Sequence, residues 1–488
     1  MKRWGVLLIG ALLLFSCAPR YQRSPGEVPQ EYRFQSRESQ PQPDLASLAD
    51  LSWWEVFRDP ALQDLIRTAL EQSYDVRQAV ARLNESRALV GVSRSLWLPQ
   101  VGGVALWQRE KLSKTSVNPP IPYGVSVVDS LAQFNFDLFW EVDLFGRLRN
   151  LTKAAQSESL ASQWAQRAVW AAVVADVARA YFELRTLDRQ LDISKTTLKS
   201  FQASRRLVGL RHDRGMVSRE DVAQADALVH TAGARIPDLE RQIGQKENQI
   251  SILLGNNPQA IPRGKPLTEL VVRPQVPAGL PSDLLERRPD IRQSEEVLIA
   301  TNYRIGAARA NFFPRISLTG RGGTQSVDLT KLFTGPSGFW NIGPTLTIPI
   351  FTSGYNFFTL QATKAQQEQA LVLYQFSVRQ AFREVADGLV AHAKLRDFRQ
   401  EQEALVKSYQ DYSTVATKRY KGGLEPFLSV LDADRQLFAA ELDLATVQLD
   451  QLITLVQLYK ALGGGWVTGG RSREAVTSVA ASTAPVKK

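Results

Sequence analysis

The chain has 488 residues, 44% hydrophobic and 22% charged, a composition that excludes wholesale disorder. Its formal charge of +10 is spread along the sequence without a basic block, which argues against a nucleic-acid partner. Three histidines (His212, His230, His392) and one cysteine rule out clustered His or Cys metal sites and intrachain disulfides, and no recognisable acid, base or nucleophile constellation marks an enzyme or a cofactor site.

Residues 1–16 read as an export signal: Lys2 and Arg3, then an apolar run from Trp4 to Phe15 that is too short to span a bilayer. Leu14-Phe15-Ser16-Cys17 resembles the lipobox of bacterial lipoproteins, which implies that Cys17 carries lipid; Phe15 departs from the small residue usual there. Ala18 is not the Asp that retains many lipoproteins at the inner membrane, so outer-membrane sorting is expected. Because one acyl chain anchors weakly, a second membrane contact is expected elsewhere in the chain. Residues 17–44, rich in Pro, Gln, Ser and Arg, read as an extended, lipidated tether.

From there the chain repeats itself. Ser93 to Pro99 (SRSLWLP) matches Ala308 to Pro314 (ARANFFP), and Leu144-Phe145 before Gly146 matches Ile350-Phe351 before Gly354. Val222 to Asp226 (VAQAD) matches Val430 to Asp434 (VLDAD), and Leu254-Gly255 matches Leu462-Gly463, both at a shift of 208. The repeats are expected over 45–255 and 282–463, joined by a proline-rich connector over 256–281 that continues neither helix nor sheet. A period this long implies two large packed copies rather than a short-repeat solenoid.

Each repeat holds two strands, expected at about 97–114 and 130–144 and again at about 312–326 and 338–351. Phe134, Phe136, Leu138, Trp140 and Val142 alternate with Asn135, Asp137, Glu141 and Asp143, Phe139 being the exception. Trp340, Ile342, Leu346, Ile348 and Ile350 repeat the pattern, and Ile316 and Leu318 give a third such strand. Ten residues is the length of a tilted bilayer-crossing strand. Four strands cannot close, whereas membrane barrels need about eight or more, so other copies must complete them.

After each glycine the period becomes helical. Leu160, Trp164, Ala168, Ala171, Ala175, Ala178 and Phe182 form one apolar stripe; Leu371, Tyr374, Val378, Phe382, Val385, Leu389 and His392 form its twin, where a packed histidine is the simplest reading. Hairpins over 147–254 and 355–462 are expected to turn at Arg214-Gly215 and Lys421-Gly422-Gly423, each arm running roughly 100 Å. His212 and His230 read as solvated surface residues. Residues 464–488 look like an unstructured tail.

A duplicated helix, strand, strand, long-hairpin unit behind a lipobox resembles the TolC-like outer-membrane efflux family, in its lipidated OprM and NodT-type branch. The matching motifs are Trp53 to Leu65 (WWEVFRDPALQDL), Phe139 to Arg147 (FWEVDLFGR), Leu285 to Ile291 (LERRPDI), Ile305 to Leu318 (IGAARANFFPRISL) and Val430 to Arg435 (VLDADR), with Ser73-Tyr74 departing from the usual Asn. The resemblance implies an α+β, mostly α, fold in a homotrimer: a 12-stranded β-barrel in the outer membrane continued by a 12-helix periplasmic α-barrel. It further implies a passive exit duct working with a periplasmic adaptor and an inner-membrane resistance-nodulation-division pump, in contact with outer-membrane lipid. Rival readings are a type I secretion duct, which shares the fold, and a coiled-coil adaptor lipoprotein. By the same resemblance Leu428, Asp432 and Arg435 map onto the periplasmic gate, where threefold symmetry would gather Leu428 into a constriction and Asp432 into a negative ring, with Arg435 reaching a neighbouring acid. Glu220, Asp221 and Gln224 occupy the first-repeat tip, and Gly215, Gly422 and Gly423 form the turns expected to dock the adaptor.

Overall fold

A computed structural model describes residues 19, 21–33, 48, 51–111, 113, 128–270 and 281–464. The export signal, Cys17, part of the tether and the tail from 465 onward lie outside the described residues. In chain order come α1 (Trp53–Val56), α2 (Pro60–Gln72), α3 (Tyr74–Ser95), β1 (Gln100–Lys111), β2 (Val128–Val142), α4 (Arg147–Asp213) and α5 (Arg219–Leu253). After the connector follow α6 (Leu284–Arg287), α7 (Pro289–Ala310), β3 (Arg315–Ser326), β4 (Gly338–Thr347), α8 (Tyr355–Lys421) and α9 (Phe427–Ala461). The arms match in length between repeats: α4 and α8 have 67 residues each, α5 and α9 have 35 each. The fold is thus α+β and mostly helical.

The described residues fall into two compact units. The first takes in the residues up to Ser24, Leu83–Ser162 and Ser294–Tyr374, and holds one antiparallel sheet of order β1-β2-β3-β4. Gly103, Phe136, Gly322 and Trp340 lie in one row across it, Gly102, Asp137, Arg321 and Asn341 in the next, so the faces alternate cleanly. Val101, Trp107, Phe136, Trp340, Ile342 and Leu346 are all exposed on the apolar face, Trp340 by 80%. On the polar face Arg321 Nε donates to Asp137 Oδ1. Strand β4 stops at Thr347, short of 351, where its partner β3 runs out: Thr347 pairs with Arg315, the first residue of β3 after Pro314.

At the sheet's other end the FWEVDLFGR motif makes the corner from β2 into α4. Arg147 grips Glu141 with two hydrogen bonds of 2.9 and 2.7 Å, and Asp143 accepts from the amides of Leu148 (3.0 Å) and Arg149 (2.8 Å), closing the helix start. Phe145 stacks on Phe313 of the second repeat's NFFP motif, with centroids 4.7 Å apart. Pro19, Tyr21 and Arg23 are docked rather than loose: Arg23 Nη2 donates to buried Glu295 at 2.9 Å, Tyr21 to the same carboxylate at 3.2 Å, and Asn302 Nδ2 to the Pro19 carbonyl at 2.7 Å.

The second unit takes in Pro25–Arg82, Gln163–Gln293 and the described residues from Gln375 on. Its two quoted motifs are keystones. Buried Asp59 of the WWEVFRDPALQDL motif caps α2 through Ala61 N–H (3.0 Å) and accepts from Tyr181 Oη (2.7 Å) and Lys265 N–H (3.2 Å), tying helix to connector. Buried Arg288 of LERRPDI donates to Asp290, to Glu384 (2.7 Å) and to the Ala461 carbonyl (3.0 Å) at the end of α9. A guanidinium this enclosed survives because two carboxylates and a carbonyl take up its donors. The α8 stripe packs as its periodicity predicts, with Tyr374, Val378, Val385 and Leu389 buried. The α4 stripe holds in part: Ala178 and Phe182 are buried, Leu160 is exposed, and Ala154, Ala161, Val173, Val177, Tyr181 and Leu184 are buried beside it.

The duplication is visible in the helix ends. Gly255 and Gly463 both have φ of +79°; a Cβ on Gly255 would land on the Gln72 carbonyl, one on Gly463 would lie 3.0 Å from the Arg287 carbonyl carbon. We therefore expect Gly255→Ala to lower the thermal unfolding midpoint well beyond Gly215→Ala. Gly215 bears only the left-handed penalty of about 1–2 kcal/mol, with nothing within 4 Å of its Cβ. Differential scanning calorimetry of the two variants checks the order.

Candidate functional site

The reversals of the long hairpins share one backbone solution. Gly215 (φ +71°) and Gly423 (φ +75°) are left-handed, and each closes its helix identically. Met216 N–H reaches the Arg211 carbonyl (2.9 Å) and Gly215 N–H that of His212 (2.8 Å); Leu424 N–H reaches Arg419 (2.9 Å) and Gly423 N–H reaches Tyr420 (3.0 Å). This pairing satisfies carbonyls that the helix end would otherwise leave open. Gly422 has ordinary φ, so only two of the three expected turn glycines carry the turns.

The returning helices start differently. Helix α5 begins with a capping box in which Ser218 Oγ accepts from Asp221 N–H and Asp221 Oδ2 accepts from Ser218 N–H (3.0 Å). Asp221 is therefore a helix cap. Glu220 Oε1 accepts from Gln224 Nε2 at 3.2 Å. Helix α9 starts after Pro426 without a side-chain cap.

The two tips pack together through one apolar cluster: Val208 and Ala225 of the first hairpin with Ala416, Tyr420, Phe427, Val430 and Ala433 of the second. Arg211 crosses over this cluster. Its Nη1 and Nη2 donate to the carbonyls of Tyr420 and Lys421, both at 3.0 Å, and its guanidinium lies 4.3 Å from the centre of the Tyr420 ring. A cation at the negative end of α8 is favourable, and the ring adds to it.

Leu428, Asp432 and Arg435 lie on one face of α9, Leu428 58% exposed. Arg435 Nη2 donates to Asp432 Oδ1 at 3.1 Å within the same helix. An acid three residues back is the nearest partner a helix offers. At the shift of 208 the first repeat presents Glu220, Gln224 and Ala227 at these places, so the two tips are chemically distinct on a common backbone.

Sequence reasoning missed Arg211, Tyr420, Ser413 and Asp434. The signal was available at the same shift. Arg205 and Asp226 of the first hairpin correspond to Ser413 and Asp434 of the second. Both pairs are joined: Arg205 Nε donates to exposed Asp226 at 2.7 Å, and Ser413 Oγ donates to buried Asp434. His212 and His230 are exposed and His392 is half-buried. Among the described residues no group of three or more His, Cys, Asp or Glu is placed to hold a metal.

The profile of the family described as outer membrane efflux protein matches residues 65–256 and 280–464. The chain is 38% identical over 470 residues to the probable efflux pump outer membrane protein SepC of Pseudomonas putida, covering 95% of this chain and 96% of that one. It is 41% identical over 413 residues to the solvent efflux pump outer membrane protein SrpC of Pseudomonas putida, covering 84% and 87%. The fold matches the open-state crystal structure of the Neisseria gonorrhoeae MtrE outer membrane channel with a TM-score of 0.81 and 33% identity, covering 92% of this chain and 98% of that one.

The duplicated acids titrate in opposite directions. Burial pushes the Asp434 carboxyl above its ordinary 3.8, partly offset by the Ser413 hydroxyl; the Arg205 hydrogen bond pulls Asp226 below it. A raised carboxyl binds its proton more tightly folded than unfolded, so Asp434 costs stability once pH exceeds its raised folded value and ceases to cost it below the unfolded value. Asp226 stabilises above the unfolded value and loses that contribution as pH falls through its depressed one. Asp434→Asn is expected to raise the neutral-pH unfolding midpoint by a few degrees and to shrink the gain seen on mild acidification. Thermal melts at neutral and mildly acidic pH check both signs.

Proposed function

The chain is a member of the outer membrane efflux protein family, and we propose on that footing that three copies close their sheets into one duct whose periplasmic end is gated at the hairpin tips. It is an outer-membrane protein, the exit duct of an efflux system, and members of this family are channels rather than enzymes. Transport through it is passive: energy enters at the inner membrane, through a resistance-nodulation-division pump joined by a periplasmic adaptor that docks on the turns at Gly215 and at Gly422-Gly423. The pump selects the cargo.

One observation carries this reading. A four-stranded sheet exposes an apolar face that includes Trp107, Trp340, Ile342 and Leu346, and β1 and β4 lie at its edges. In hydrocarbon an open edge is intolerable, because each unsatisfied backbone group costs several kcal/mol. Three such sheets give twelve strands, an even number within the range of closed membrane barrels. A coiled-coil adaptor has no use for such a sheet. Lipid on Cys17 supplies the second membrane contact.

At the tips, Leu428 is exposed and free to meet its symmetry mates as an apolar constriction, and three copies of Asp432 with Arg435 line the same level. The ion pair is solvated and worth about 0–1 kcal/mol, so Asp432 keeps its influence on passing ions. Purified in detergent, the protein is expected to run as a trimer with clear β signal in circular dichroism. In planar bilayers Leu428→Gly is expected to raise single-channel conductance roughly twofold or more. Asp432→Asn, which also frees Arg435, is expected to move selectivity from cations toward anions. Unaltered currents in both variants would discard this gate.

A further inference from the structure

The two hairpins are superimposable in register at their tips, and one of them already demonstrates a contact that the other is built to repeat. Arg211 and Arg419 occupy the same place: each carbonyl closes the same turn bond, to Met216 N–H and Leu424 N–H, both at 2.9 Å. Arg211 spends its guanidinium on the last carbonyls of α8, those of Tyr420 and Lys421, in the other hairpin of the same chain. Arg419 lies instead against Glu425 of its own turn, Nε to Oε1 at 2.9 Å. The first repeat has Val217 where the second has Glu425, so Arg211 faces no such rival at that position.

We propose that Arg419 is the copy-to-copy counterpart of Arg211: in the assembled ring it seats on the His212 and Asp213 carbonyls of the neighbouring copy, with Glu425 of its own hairpin competing for it. The inference rests on the trimer reading above. In a closed ring first and second hairpins alternate, so every second hairpin faces the first hairpin of the next copy. The junction inside a chain and the junction between copies are then built from equivalent backbones, and what Arg211 does across one Arg419 can do across the other.

The receiving end is suited to it. The His212 and Asp213 carbonyls are the counterparts of those of Tyr420 and Lys421, at the negative end of α4. The His212 carbonyl already accepts from Gly215 N–H, as the Tyr420 carbonyl does from Gly423 N–H, and each keeps a second lone pair. Where the internal seat has the Lys421 ammonium, this one has the Asp213 carboxylate, 78% exposed, and where the internal seat has the Tyr420 ring it has the His212 imidazole. The seat between copies therefore attracts a guanidinium more strongly than the one within. Arg419 and Glu425 are themselves partly exposed, so the guanidinium can transfer without opening a core. Glu425 then sets how firmly the ring is latched, and the apolar cluster beneath Arg211 keeps the internal junction together while the junction between copies parts.

The competition predicts effects of opposite sign. In the full-length protein in planar bilayers, Arg419→Gln is expected to shift the closed–open balance toward open by roughly tenfold for each junction, the loss of one charge-assisted hydrogen bond at each. Glu425→Gln is expected to shift it toward closed, by freeing Arg419 for the neighbour, and the double variant to behave as Arg419→Gln does. An ion pair that merely stiffens one turn would move both single variants the same way. Any pattern other than opposite signs overturns the proposal. As a positional test, a chain carrying Asp213→Cys with Arg419→Cys should oxidise to covalently linked dimers and trimers, whereas Arg211→Cys with Lys421→Cys should oxidise without change of mass. An intact trimer that yields no linked species from the first pair overturns the proposal alone; a monomer by light scattering overturns the trimer reading beneath it.

Discussion

An open sheet with one apolar face is the constraint from which the rest of this molecule follows. Hydrocarbon accepts strands only when every backbone donor and acceptor on them is paired. The chain contributes four strands whose outer members, β1 and β4, are both edges. No rearrangement within the chain pairs β1 with β4 at this strand number, because a barrel of four has no room for its own side chains. Multiplication of the chain, as in the proposed trimer, would close it and make every other feature occur several times around one axis.

That multiplicity changes the meaning of ordinary side chains. Leu428 on a solitary helix is one exposed apolar residue of no consequence. In the proposed trimer it would become a hydrophobic constriction, and Asp432 a ring of like charges. The same reasoning explains where the protein invests its strongest polar contacts. Arg288, Asp59 and the Glu141–Arg147 pair sit at corners, where a helix end meets a strand or a connector, and each satisfies several backbone or carboxylate partners at once. Those corners are fixed. At the tips the Asp432–Arg435 and Arg419–Glu425 pairs are partly exposed single contacts, as suits the part proposed to move.

The architecture was legible because it is periodic. Alternation in FNFDLFWEVD placed β2 and its apolar face, the shift between VAQAD and VLDAD placed the duplication, and two long stretches free of proline placed α4 and α8. What escaped was set by surroundings that periodicity does not encode. Leu160 belongs to a stripe of steps of three and four yet faces outward, because over a helix of this length the packed face drifts and small residues such as Ala154 and Ala161 can occupy it equally well. Cys17 lies outside the described residues, and its lipid remains a reading of the LFSC sequence alone.

Duplication followed by divergence gives the tips their asymmetry. The backbone of the turn was copied intact, down to the left-handed glycine and the two hydrogen bonds that close it. Side chains at equivalent positions then parted: Glu220 against Leu428, Gln224 against Asp432, Ser413 against Arg205, Val217 against Glu425. Two of these replacements take the second hairpin away from a solvated helical tip. Leu428 substitutes an apolar contact for a charge, and burial of Asp434 beside Ser413 replaces an exposed ion pair with an enclosed hydrogen bond. A ring made of six identical hairpins would have six equal junctions and no preferred place to open. With two kinds of hairpin the junctions fall into two classes, one inside each chain and one between chains, and a passage can widen at one class while the other holds. The cluster of Val208, Tyr420, Phe427 and Val430 binds the first class by burial, which does not depend on any single charge. On the proposal made for Arg419, the second class is held by solvated polar side chains, which exchange partners at little cost.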